Sequence, residues 1–199
     1  MDTTAVLLQQ LLLYGLLPLW LLAGFADWLC HRVQGMEHDA GTQESVLHWL
    51  MLAEMGPALA AALLLEVTAA VLALLFVLCL AHELTTWWDL RFAESRRRIP
   101  WFEQWVHALQ LSLPWAGLAG LALIHHGQAA ALLGVAGTPD WGWRAKAVPL
   151  PPAYVWGVAA AGVLLVALPF AEELLRCRRA EAVASRRRQL RGALRTGGR

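Results

Sequence analysis

The sequence predicts an all-α integral membrane helical bundle of about five transmembrane helices, each needing about 20 mostly apolar residues to cross a bilayer. Three observations carry this. Of 199 residues, 58% are hydrophobic and only 16% are charged, against about 25% charged in an average soluble domain. The apolar residues fall into runs of bilayer length. The basic residues avoid those runs, so the formal net charge of +1 conceals an uneven distribution.

The first span is expected over residues 5–26. It lacks a basic segment before it and exceeds the roughly 7 to 15 apolar residues of a signal-peptide core, so it is read as a retained helix. Residues 27–43 turn polar and contain Gly35 and Gly41, which predicts a loop, with Thr42 a candidate cap before Glu44. Residues 45–81 are apolar for longer than one span requires. Cutting at Gly56 and Pro57 leaves a piece too short to cross. Cutting near Glu66 to Thr68 gives spans of 45–63 and 67–87 joined by a tight hairpin, with Pro57 as a kink inside a helix. A polar connection with Arg91 and Arg96 to Arg98 ends at Pro100 and precedes a fourth span, 103–124, containing Pro114. Residues 127–152 form a loop with Trp141 and Trp143, and the fifth span runs over 153–171. The transmembrane domain is thus expected over 1–175, with a basic cytoplasmic tail over 176–199.

This division places every Lys and Arg except Arg144 and Lys146 on one side. The positive-inside rule makes that side cytoplasmic, with the N-terminus outside and the C-terminus inside, and the expected location is the inner (cytoplasmic) membrane. Trp28, Trp49, Trp87, Trp88, Trp101 and Trp105 fall near the cytoplasmic boundary and Trp141, Trp143 and Trp156 near the other, as aromatic belts do.

Within this frame one pattern repeats. Asp27 and His31, Glu44 and His48, and Glu103 and His107 are carboxylate and imidazole pairs four residues apart, while His82 and Asp89 are seven apart. On a helix each pair projects from one face. The topology brings all four pairs to the cytoplasmic ends of four consecutive spans. Ionisable side chains cost roughly 2.5 to 3.5 kcal/mol each at the centre of a bilayer helix, so a group of them needs partners. The bland reading is an interhelical network of carboxylates with His⁺ or Arg. Four pairs at one depth favour a site for two divalent metal ions, as in helix bundles where inward Glu and His hold two ions. Imidazole with carboxylate and no thiolate suits iron first, and also zinc or manganese. Cys30, Cys79 and Cys177 show no metal-binding spacing. Glu37, His38, Glu54 and Glu83 are candidates for added ligands or supporting partners. His125 and His126 belong to the opposite face. No nucleic-acid reader pattern is present, and the arginine tail is read as a topology determinant that touches membrane lipids.

The arrangement resembles the histidine-rich integral-membrane di-iron proteins, the desaturase and hydroxylase group, although their HxxxH and HxxHH boxes do not occur here. The fuller pattern is DWLCHR at 27, EH at 37, ESVLH at 44, AHE at 81, WD at 88 and EQWVH at 103. It is similar to a family of small bacterial multi-pass membrane proteins over about residues 5 to 125. The di-iron resemblance implies oxygen activation, an oxidoreductase whose lipid, alkyl or quinone substrate enters laterally from the bilayer. Two alternatives stand beside it. One is a zinc-dependent hydrolase of membrane lipids, and the other a non-enzymatic metal-binding or scaffold protein. A transport path is poorly supported, since only Glu54 and Glu66 continue outward from the pairs on the second span.

Overall fold

The computed structural model describes residues 3–196. Among the described residues six helices follow one another: α1 (Thr3–Gln34), α2 (Gly41–Leu64), α3 (Ala69–Glu94), α4 (Trp101–Ile124), the short α5 (His126–Leu132) and α6 (Pro152–Arg191). Helical structure continues beyond α6 to Thr196. All but α5 are long and apolar enough to cross a membrane, which makes the molecule a membrane-type helical bundle. Helix α2 pairs with α3 and α1 with α4, while the second half of α6 packs against both α1 and α2.

The long apolar stretch divides where Glu66 to Thr68 predict it. Helix α2 runs through Pro57 without ending. Thr68 then caps α3, its hydroxyl accepting from the Val71 N–H at 3.3 Å. The hairpin is pinned from outside by the segment before α6. Glu66 N–H donates to the Arg144 carbonyl at 3.0 Å, Lys146 N–H to that of Leu64 at 3.0 Å, and Lys146 Nζ to the Leu65 carbonyl at 2.7 Å. At the other end Thr42 is not the cap: α2 already begins at Gly41, and the Thr42 hydroxyl instead donates to Glu181 on α6 at 2.9 Å.

Helices α1 and α6 each contain a π-helical stretch, Leu11–Leu16 and Val163–Ala167. Both lie just before a proline, Pro18 and Pro169. A proline offers no N–H to the carbonyl one turn back and its ring crowds that carbonyl, so the backbone widens there. The Tyr154 hydroxyl donates to the Leu13 carbonyl inside the first of these stretches at 2.6 Å, tying α6 to α1.

Helices α1 and α4 cross at Gly120, where an added Cβ would lie 2.8 Å from the tip of Leu12 and 3.3 Å from its Cγ. Gly120→Ala is therefore expected to be mild, since Leu12 can rotate away. Gly120→Leu forces the helices apart at a cost of about 1 to 3 kcal/mol, read as a lower unfolding temperature in detergent; equal stability of the two variants would contradict the close crossing.

The end of the bundle that carries the paired residues is closed by the α1–α2 connection. Gly35 ends α1 in the left-handed conformation, φ 70°, its N–H donating to the His31 carbonyl at 3.1 Å. This turns the chain so that Met36 is fully buried, packed with Ala40, Phe92 and Cys177. Glu37 pairs with Arg176. The C-terminal half of α6 thereby forms one wall of the site rather than leaving the bundle at residue 171.

Candidate metal centre

Each helix end delivers its ionisable pair for a periodic reason. Asp27 and His31 lie in the last turns of α1, Glu44 and His48 in the first turns of α2, and Glu103 and His107 in the first turns of α4, so each four-residue spacing stacks a carboxylate and an imidazole on the inward face. All are buried, and His31, Glu44, His48 and Glu103 are completely so. One ligand atom from each of Asp27, His31, Glu103 and His107 lies within 4.8 Å of the others. His31, Glu44 and His48 meet the same test. These groups could hold a metal ion, and they share His31.

A residue outside the repeated pattern organises both. Glu173 of α6 is fully buried and lies between two imidazoles, its Oε2 3.0 Å from His31 Nδ1 and its Oε1 2.8 Å from His48 Nδ1. The two rings stack with centroids 4.8 Å apart. When Glu173 accepts both Nδ1–H groups, the lone pairs are left on the Nε2 atoms. His31 Nε2 then faces Glu103 Oε1 at 3.2 Å, Glu44 Oε1 at 3.6 Å and Asp27 Oδ1 at 3.7 Å. His48 Nε2 faces Asp89 Oδ2 at 3.7 Å. A nitrogen lone pair ringed by carboxylate oxygens requires a cation among them, either a proton or a metal.

Arg97 supplies one positive charge from the α3–α4 connection. Its Nη2 donates to Glu44 Oε1 and to Glu103 Oε1, each at 2.5 Å, and its Nη1 donates to Gln34 Oε1 at 2.9 Å and Glu103 Oε2 at 3.1 Å. Burial works against the guanidinium charge, but the hydrogen bonds and negative charges of Glu103 and Glu44 outweigh it and raise its pKa above the ordinary arginine value. Gln34 also donates to Glu103. The network remains incomplete. His107 Nε2 comes within 3.0 Å of Asp27 Oδ1, yet neither atom makes an aligned hydrogen bond, and His107 Nδ1, His48 Nε2 and Asp89 Oδ1 are buried and unpartnered as well.

His82 is not brought to this cluster. It faces Glu54, Nδ1 to Oε2 at 3.8 Å, while Asp89 lies beside His48. The seven residues between His82 and Asp89 put both on one face but separate them by about 10 Å along the axis, so they serve different levels of the bundle. Among the other candidates, Glu54 accepts from the Thr85 hydroxyl at 2.7 Å and Glu83 from the Trp115 indole at 2.9 Å. Glu37 is held by Arg176, and His38 is exposed. None of these four joins the two ligand groups.

No family model, curated protein or solved structure matches the chain.

Proposed function

We propose that this cluster holds two divalent metal ions, iron first and zinc or manganese as alternatives. On this reading the chain is an oxygen-activating oxidoreductase of the inner membrane, with the cluster near the cytoplasmic face and a lipid, alkyl or quinone substrate. The observation that carries the metal reading is the set of buried ligand atoms without hydrogen-bond partners among the described residues: Asp27 Oδ1, His48 Nε2, Asp89 Oδ1 and both ring nitrogens of His107. Leaving one such group unsatisfied costs about 1 to 3 kcal/mol, so a cluster of them signals a missing partner.

Once metal displaces the imidazole protons, charge bears on the number of ions. With neutral imidazoles, the carboxylates of Asp27, Glu44, Asp89, Glu103 and Glu173 face, among the described residues, only the Arg97 guanidinium. Four negative charges then stay uncompensated, which two divalent cations would cancel and a single one would not. Isolated charges in a low-dielectric interior are strongly disfavoured. The donor set of imidazole and carboxylate without thiolate suits iron, and iron so held would supply dioxygen activation. The chain's own contribution is positional. Glu173 holds His31 and His48 in register, and Arg97 holds Glu44 and Glu103. The orientation rests on the arginine distribution in the sequence, which leaves only Arg144 and Lys146 opposite the site.

Elemental analysis with an optical spectrum of the detergent-purified protein tests this. Two ions per chain are expected, with near-ultraviolet colour if they are iron. A folded protein without stoichiometric metal overturns the proposal, and zinc alone turns it toward hydrolysis.

A further inference from the structure

A cavity of about 380 Å³ begins beside the cluster and runs between α1, α2 and α6. On α2 its lining extends from Met51 to Leu64, about 20 Å of helix at about 1.5 Å per residue. On α6 it extends from Val155 to Phe170 and includes much of the widened stretch before Pro169. Small residues create the space. A Cβ added at Gly56 or Gly162 meets nothing within 4 Å. The walls are almost wholly apolar, and the polar lining residues, Asp27, His82 and Gln110, gather at the end nearest the cluster.

That end is chemically specific. Both ring nitrogens of His82 are buried without a hydrogen-bond partner, and so is Asp27 Oδ1. Glu54 stands 3.8 Å behind His82. Arg97 is engaged by Glu44, Glu103 and Gln34 and does not line the cavity. In the metal-free protein a carboxylate or phosphate head would therefore meet Asp27 with no free guanidinium to offset it. A hydroxyl or carbonyl group could exchange hydrogen bonds with His82 and Gln110 at no such cost. The length, volume and apolar lining of the rest suit one hydrocarbon chain.

We infer that this cavity binds a neutral long-chain amphiphile, its hydroxyl or carbonyl head at the His82, Gln110 and Asp27 end and its single chain extended between α2 and α6. The inference deepens the proposed oxidoreductase only in placing the head at the reacting end. Binding itself needs no metal. Of the residues first grouped as ligands, His82 is thereby assigned to the substrate rather than to the metal.

The test uses hexadecanol carrying a photoreactive diazirine at the far end of its chain, with the full chain in lipid nanodiscs and labelled residues mapped by mass spectrometry. Labelling is expected at Leu63, Leu64, Val155 and Ala159, in metal-loaded and metal-stripped protein alike. In the metal-stripped protein the matching hexadecanoic acid probe should label these positions far less. His82→Ala should weaken hexadecanol labelling about tenfold, the equivalent of about one hydrogen bond. Gly56→Leu should abolish it at unchanged metal content, and Gly162→Leu provides the same readout if the first variant unfolds. The inference is overturned by label spread over outward residues such as Leu7 and Phe76, by equal labelling from the acid in metal-stripped protein, or by indifference to both glycine variants. Because labelling is read without metal, its failure is distinct from failure of the metal proposal.

Discussion

His48→Ala and His107→Ala are each expected to remove metal from the purified protein, and together to remove all of it, while His125→Ala leaves the content unchanged. His107 stands with Asp27, His31 and Glu103, and His48 with His31 and Glu44. Each imidazole therefore belongs to a different group of ligands, and each single variant should lower the content from two ions toward one. His125 ends α4 at the opposite end of the bundle. Thermal unfolding provides a second readout. A metal bound at about 100 times its Kd stabilises the folded form by about 2.7 kcal/mol, so metal should raise the unfolding temperature of the parent and of His125→Ala but not of the double variant. Equal loss of metal from all three single variants would overturn the site assignment. If the cluster were only an ion network, removing either imidazole would change stability without any dependence on added metal.

Much of the fold was legible because bilayer length is a strong constraint. The apolar stretch of residues 45–81 had to be divided, and the arginine distribution selected the hairpin near Glu66 over a break at Pro57. The structure carries α2 through Pro57 and turns the chain between Leu65 and Thr68. The three pairs spaced by four residues were equally legible, since that spacing alone fixes a shared helix face. The fourth pair misled about His82, because a shared face says nothing about depth.

Two residues that complete the cluster escaped the sequence pattern for definite reasons. Arg97 sits in a run of three arginines. Nothing in such a run distinguishes the one that turns inward from those that set topology. Glu173 has no imidazole four residues away, and it follows a span expected to end at residue 171. Its neighbour Glu172 pairs with Arg32 at the surface, while Glu173, turned about 100° further around the helix, is fully buried. The available signal was an acidic doublet directly after an apolar run, where one member must face inward if the helix continues.

Glu173→Gln is expected to lower metal affinity by about 10- to 100-fold, the usual effect of losing a carboxylate that orients ligating histidines, with helicity and the metal-free unfolding temperature little changed. The reason is tautomeric. The Glu173 carboxylate can accept an Nδ1–H from His31 and another from His48, at 3.0 and 2.8 Å. An amide in the same place offers one oxygen and one NH₂ group. One of the two imidazoles must then accept at Nδ1, which places its proton on Nε2 and removes that nitrogen as a ligand. Removing a buried charge without changing side-chain volume leaves packing intact, so lost affinity cannot be ascribed to a collapsed bundle. Glu173→Leu removes both acceptors and should lower affinity further. Metal titration of the stripped variants, followed by unfolding temperature, separates the cases. Parent-like affinity in a folded Glu173→Gln variant would mean that α6 supports the histidines only by packing.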